Sequence, residues 1–263
     1  MDLLRTDDLR VARFDCTPED RRWCEANWIG GRPHVVLPGT PVWISRTGTD
    51  QQVADRSLVM LYDADQEYRR RLLDPTGDHC LYFELSPDAL ETVVGARRFP
   101  RSSVPINSAA WATAQVLLAG LADVDDDESA ECKALLALSE LLAPLRTEPA
   151  PRMTTQRAEQ LRSLLAADLP RTLRLPELAA QVHVSPFHLV RWFKAATGST
   201  PIAYRARLRA RAAAAAIITE RDACLADLAH DLGYASHSHL ATAVRREFGM
   251  TPTALRLAGS LPR

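Results

Sequence analysis

The chain has 263 residues, 46% of them hydrophobic and 25% charged, ordinary proportions for a water-soluble globular protein large enough for two modest domains. No run approaches the roughly 18 consecutive apolar residues of a membrane helix, and the opening MDLLRTDDLR lacks a signal-peptide pattern, so no membrane association and a cytoplasmic location are expected. The net charge of −1 hides an asymmetry: residues 152–263 hold 16 Lys+Arg against 8 Asp+Glu, whereas residues 1–151 hold 16 against 25. Such a split suggests that the second half meets a polyanion and the first does not.

In chain order, the first hundred residues carry short apolar runs ("PHVVLPG", "TPVWIS", "RSLVMLYD", "HCLYFELS") separated by Gly, Pro and Asp. That rhythm predicts an antiparallel β sandwich or barrel. In "HCLYFEL", Leu81, Phe83 and Leu85 alternate with Cys80, Tyr82 and Glu84, the pattern of a half-buried strand. Two helices are predicted next, near 108–121 and 128–142. Leu135, Leu138, Leu142 and Leu145 form a short seam that should pack on the preceding helix and could also meet a second copy across a dimer. The acidic "DVDDDE" between them reads as a solvated loop favouring the next helix N-terminus.

No metal site or catalytic set emerges. His34 and His79 are far apart and lack the His-x-His spacing of a metal-binding strand, and no nucleophile elbow or phosphate loop is present. Cys16, Cys24, Cys80, Cys132 and Cys224 are scattered, so thiols are expected rather than disulfides, with a thiol sensor from the first three as a minor reading. No cofactor is expected.

"APLRTEPAP" (Ala143–Pro151) has three prolines and reads as a linker between domains at 1–145 and 152–263. Beyond it the chain repeats itself: "VSPFHLVRWFKAATGSTP" from Val184 and "ASHSHLATAVRREFGMTP" from Ala235, 51 residues apart. Each copy predicts a helix with an apolar inner side. Leu189, Trp192, Phe193 and Ala196 face in from the first, and Leu240, Ala243, Val244 and Phe248 from the second. Ser185 and Pro186 suit the first helix start. Shorter helices precede both ("RLPELAAQVHVS", "LADLAHDLGYAS"), with Gly233 at the second turn, so each half-repeat is a helix-turn-helix. The Arg/Ala stretch Tyr204–Ile218 joins the two heads, which can then enter successive major grooves about 34 Å apart.

This ordered pair resembles the DNA-binding domain of the AraC/XylS family of bacterial transcription regulators, and the first half more distantly resembles that family's jelly-roll, cupin-like sensor domains. The resemblance implies an α+β chain: an antiparallel jelly roll with two helices, then an all-α domain with two helix-turn-helix motifs. It implies double-stranded DNA, a small-molecule effector, RNA polymerase and a second copy of the chain as partners. In the first head it places Phe187, Val190 and Arg191 at base edges, with Lys194 at phosphate. In the second it places Ser238, Ala241 and Thr242 at equivalent positions, with Arg245 and Arg246 on phosphate.

His188 and His239 flank the reading faces, and Arg209 is expected to touch phosphate or brace the heads. The small Ala243 and Val244 predict looser packing of the second head, and its short outward side chains predict weaker base reading. Trp43, Tyr62, Cys80 and Tyr82 are the expected effector-pocket residues. A tethered enzyme and a ligand-blind regulator are the competing readings.

Overall fold

The computed structural model describes residues 1–46, 51–123, 127–147, 156–184, 186–220 and 222–259. The strands lie in the first 105 residues. They are β1 (Asp2–Arg5), β2 (Leu9–Cys16), β3 (Asn27–Trp28), β4 (His34–Pro38) and β5 (Val42–Arg46), then β6 (Gln52–Ala54), β7 (Leu58–Tyr62), β8 (Glu67–Leu72), β9 (Asp78–Leu85) and β10 (Ser103–Pro105). They form two antiparallel sheets, ordered β1-β2-β9-β4-β7-β10 and β3-β8-β5-β6.

The period of two sorts the larger sheet's side chains. Leu9, Val11, Val35, Leu61, Phe83 and Leu85 share one buried face. That face packs with the helices α1 (Pro87–Val94), α2 (Ser108–Ala119) and α3 (Asp127–Leu142). The opposite residues, among them Phe14, Val36, Met60 and Tyr82, look toward the smaller sheet. The first half is thus helices, sheet and sheet in three layers, with the expected β sandwich as two of them.

Helix starts follow from capping side chains. Ser86 Oγ accepts from the Ala89 N–H at the start of α1, and Asn107 Oδ1 from the Ala110 N–H at the start of α2. The leucine seam differs from one expectation. Leu138 and Leu142 are buried within the chain, where α3 packs on α2, while Leu135 and Leu136 point outward. Leu138 and Leu142 therefore cannot face a second copy. Residues 124–126 of the acidic segment, and 148–155 beyond the short helix α4 (Pro144–Thr147), lie outside the described residues.

The second half holds α5 (Gln156–Ala167), α6 (Leu175–Gln181), α7 (Pro186–Thr197), α8 (Pro201–Thr219), α9 (Leu225–Asp231), α10 (His237–Phe248) and α11 (Pro252–Ala258). The repeated Gly-x-Thr-Pro now has a physical reason. Gly198 and Gly249, at φ +78° and +71°, close the ends of α7 and α10 with N–H bonds to the Lys194 and Arg245 carbonyls. Thr200 and Thr251 then cap α8 and α11, each accepting an N–H three residues on at 3.2 Å, and the proline follows at the first helical position.

The two heads are anchored differently. Leu161, Leu165, Leu178, Leu189, Phe193 and Tyr204 form a core of the first head and α5. In the second head, Ile217, Leu240, Val244 and Leu255 belong to the same core as Trp111 and Leu118 of α2. Trp111 stacks on Phe248 with ring centroids 5.6 Å apart. Ala243 and Val244 are both buried, and α10 packs against α2. A linker alone does not join the halves: they share a core.

Candidate nucleic-acid interface and effector cavity

Each helix-turn-helix turn needs one residue in the left-handed region. In the first it is His183 (φ +54°), and in the second Gly233 (φ +69°). Gly233 has a further reason to lack a side chain, because a Cβ there would overlap the Pro170 carbonyl.

In α10, Ser236 Oγ accepts from the His239 N–H at 3.2 Å, and Leu240, Ala243 and Val244 turn inward. Ser238, His239, Thr242, Arg245 and Arg246 are exposed, and Ala241 is half-buried. Thr242 Oγ1 donates back to the Ser238 carbonyl at 2.9 Å, leaving its lone pairs outward. His239 lies edge-on to Tyr234 (centroids 5.4 Å apart), which orients its ring. In α7, Leu189 and Phe193 are buried, Val190 half-buried and Lys194 exposed. Ser185 and the side chains of Phe187, His188 and Arg191 lie outside the described residues.

The arginines of α8 turn largely toward protein. Arg209 donates from Nε to the Leu169 carbonyl (2.5 Å) and from Nη2 to the Pro170 and Arg171 carbonyls (3.1 and 3.0 Å). Arg205 binds the Asp168, Leu169 and Arg171 carbonyls. The loop they hold, between α5 and α6, is the one against Gly233, so Arg209 is a brace between the heads. Burial lowers the pKa of both guanidinium groups, that of Arg205 to about 10, so both remain charged at neutral pH. Sequence reasoning could not separate these arginines from a phosphate-binding stripe, because their partners are backbone carbonyls.

A buried polar cluster joins the first head to the sheets. Arg162 donates from Nη1 to Glu159 (3.0 Å), from Nη2 to the Val53 carbonyl (3.0 Å) and Asp55 (3.3 Å), and from Nε to the Tyr204 hydroxyl (2.9 Å). Glu159 accepts the Val53 N–H at 2.6 Å, Tyr204 donates to Asp55, and Ser57 Oγ bonds both. Burial opposes the Arg162 charge, but Tyr204, Asp55 and Glu159 outweigh it and push the guanidinium pKa up. Arg211, fully buried, donates to the carbonyls of Arg56 (2.7 Å) and Ile106 (2.8 Å).

Between the two sheets lies a cavity of about 350 Å³. Tyr62, Cys80 and Tyr82 line it, as do Met60, Ala54 and Tyr68. Trp43 is not among the lining residues. On β5 its neighbours Val42 and Ile44 face the cavity, while Trp43 lies on the other side beneath the Arg71 guanidinium, 5.1 Å from its ring centre. Burial raises the thiol pKa of Cys16 and of Cys80, leaving both protonated and poorly reactive at neutral pH. Among the described residues, no group of three or more His, Cys, Asp or Glu is placed to hold a metal ion, and no helix is long and apolar enough to cross a membrane.

Two helix-turn-helix heads with exposed, partly basic second helices, set in tandem on one connecting helix, define a DNA-binding domain of the double-headed class. Residues 178–258 match the family described as "Helix-turn-helix domain". An AraC-like transcription regulator of Streptomyces lividans is 37% identical over 98 residues, which are 37% of this chain and 32% of that protein. The transcriptional activator RhaS of Klebsiella pneumoniae is 25% identical over 237 residues, covering 84% of this chain and 83% of that one. Residues 178–258 are thus a helix-turn-helix domain of the type found in AraC-like transcription regulators. Among solved structures, ToxT of Vibrio cholerae aligns with a TM-score of 0.39 at 11% identity, over 96% of this chain and 98% of that one.

Proposed function

We propose that the chain is a cytoplasmic, sequence-specific transcriptional regulator that acts by binding rather than catalysis, with a small-molecule effector held in the sandwich cavity. The observation that carries effector control is the position of β6. Ala54 forms part of the cavity wall, while its neighbours Val53 and Asp55, with Ser57 just beyond, hold α5 and α8 through Glu159, Arg162 and Tyr204. A ligand that displaces β6 therefore changes the seat of the first head relative to the second. Lys194 of α7 and Ser238, His239, Thr242, Arg245 and Arg246 of α10 are exposed in this seating. RNA polymerase is the partner through which such a regulator acts, and a homodimer would use the exposed Leu135 and Leu136 of α3.

The reading is tested with single variants of the full chain on its cognate DNA. Arg191→Ala should cost about 1–3 kcal/mol and relax preference at one or two base pairs, the effect of losing a bidentate guanine contact. Lys194→Ala should weaken all sequences evenly. Indistinguishable sequence profiles for the two variants would reject the assignment of the α7 face.

A further inference from the structure

The charges around the cavity are already spoken for. Arg10, the guanidinium among the described lining residues, donates to Asp2 (2.8 Å) and Glu84 (3.2 Å), and Glu84 also has Arg32 4.0 Å away. Asp78, the other carboxylate of the wall, is held by Arg70 at 2.6 Å from behind. Even with that partner, burial pushes the Asp78 carboxyl up, so a charge is disfavoured in this space. Burial likewise holds His34 toward its neutral form and keeps the Tyr62, Tyr68 and Tyr82 phenols protonated.

Three of the wall's aromatic rings, which could otherwise attract a cation, already have guanidiniums against them. Arg46 sits 4.0 Å from the Tyr62 ring centre, Arg70 4.9 Å from that of Phe14, and Arg10 5.7 Å from that of Tyr82. An incoming anion would meet a cation engaged by two carboxylates, and an incoming cation would meet carboxylates and rings engaged by arginines. Either would lose its hydration without gaining a counter-charge. What remains on offer is apolar wall, from Val42, Ile44, Ala54 and Met60, together with phenol hydroxyls that both donate and accept.

We propose that the cavity between the two sheets selects an uncharged, largely apolar molecule carrying one or two hydrogen-bonding atoms, because each ionic group of its wall is neutralised by a neighbouring side chain. This rests on the reading of the cavity as the effector site, and it adds the chemical class of the ligand.

The test is calorimetric titration of the full chain at pH 7.5 with three probes sharing one ring system: indole-3-acetamide, indole-3-acetate and tryptamine. The neutral amide should bind at least tenfold more tightly than either ion. An acetate or tryptamine affinity equal to or above that of the amide overturns the proposal. Failure of all three to bind saturably at millimolar concentration overturns the cavity as a ligand site, and leaves the DNA-binding reading untouched. The double variant D2N/E84Q removes both partners of Arg10 and should raise acetate affinity at least tenfold while leaving the amide within about twofold. No gain for acetate would show that ion pairing does not set the selectivity, and would also overturn the proposal.

Discussion

His183 and Gly233 occupy matching places in the two turns, yet only one is a glycine. A left-handed conformation costs an L-residue about 1–2 kcal/mol, partly offset by the greater chain entropy a glycine loses on folding. His183→Gly should therefore stabilise the first head by up to about 1 kcal/mol in urea denaturation. Gly233→Ala should destabilise by more than about 1 kcal/mol, since strain and the overlap with the Pro170 carbonyl act together. Equal signs for the two changes would show that the turns are not equivalent. The second of these positions was legible in the sequence, where glycine announced the turn. The first was not, because histidine gives no signal of its backbone.

At the scale of elements, β6 and α5 show where sequence patterns run out. Strand alternation in β9, the Thr-Pro starts of α8 and α11, and the inner faces of α7 and α10 are all written in side-chain periodicity. The docking of α5 on β6 is not, since it uses Val53 backbone groups and a buried Arg among carboxylates. An Arg in sequence looks equally suited to solvent, phosphate or such a cluster. Likewise Trp43 looked like a pocket residue by composition, and the strand's parity turned it to the other side. Arg162→Ala should cost about 3–5 kcal/mol in chemical denaturation, because it strands Asp55 and Glu159 as buried carboxylates. Adding Asp55→Asn and Glu159→Gln to Arg162→Met should recover most of that loss. If the triple variant is as unstable as Arg162→Ala, stranded charge is not the cause.

At the scale of the whole molecule, the charge asymmetry marked the DNA-binding half but overstated how many cations are free to bind. Arg162, Arg205, Arg209, Arg211 and Arg256 all donate to carbonyls or carboxylates of the protein. Among the described residues Arg171, Arg174, Lys194, Arg245 and Arg246 are exposed, which gives about five groups for phosphate. Binding of the full chain to DNA should then fall with log salt at a slope near −5, about 0.9 for each phosphate contact. A slope close to zero would contradict the electrostatic role of this half. Residues 152–263 alone should be less stable than in the full chain, because truncation uncovers Phe248, Val244 and the side of α8 that shares a core with Trp111. The shared core explains why a proline-rich stretch alone was a poor guide to how the halves relate.

Two reading helices on one rigid support are the central claim, and selection of bound sites from a randomised DNA library by the full chain tests it most directly. Two blocks of preferred sequence should emerge, about one helical turn apart, on one face of the duplex. The block under α7 should be well defined. The block under α10 should be weaker, because Ser238, Ala241 and Thr242 are short and the Thr242 hydroxyl is tied to its own helix. A single block, or no enrichment over the starting library, would contradict the account.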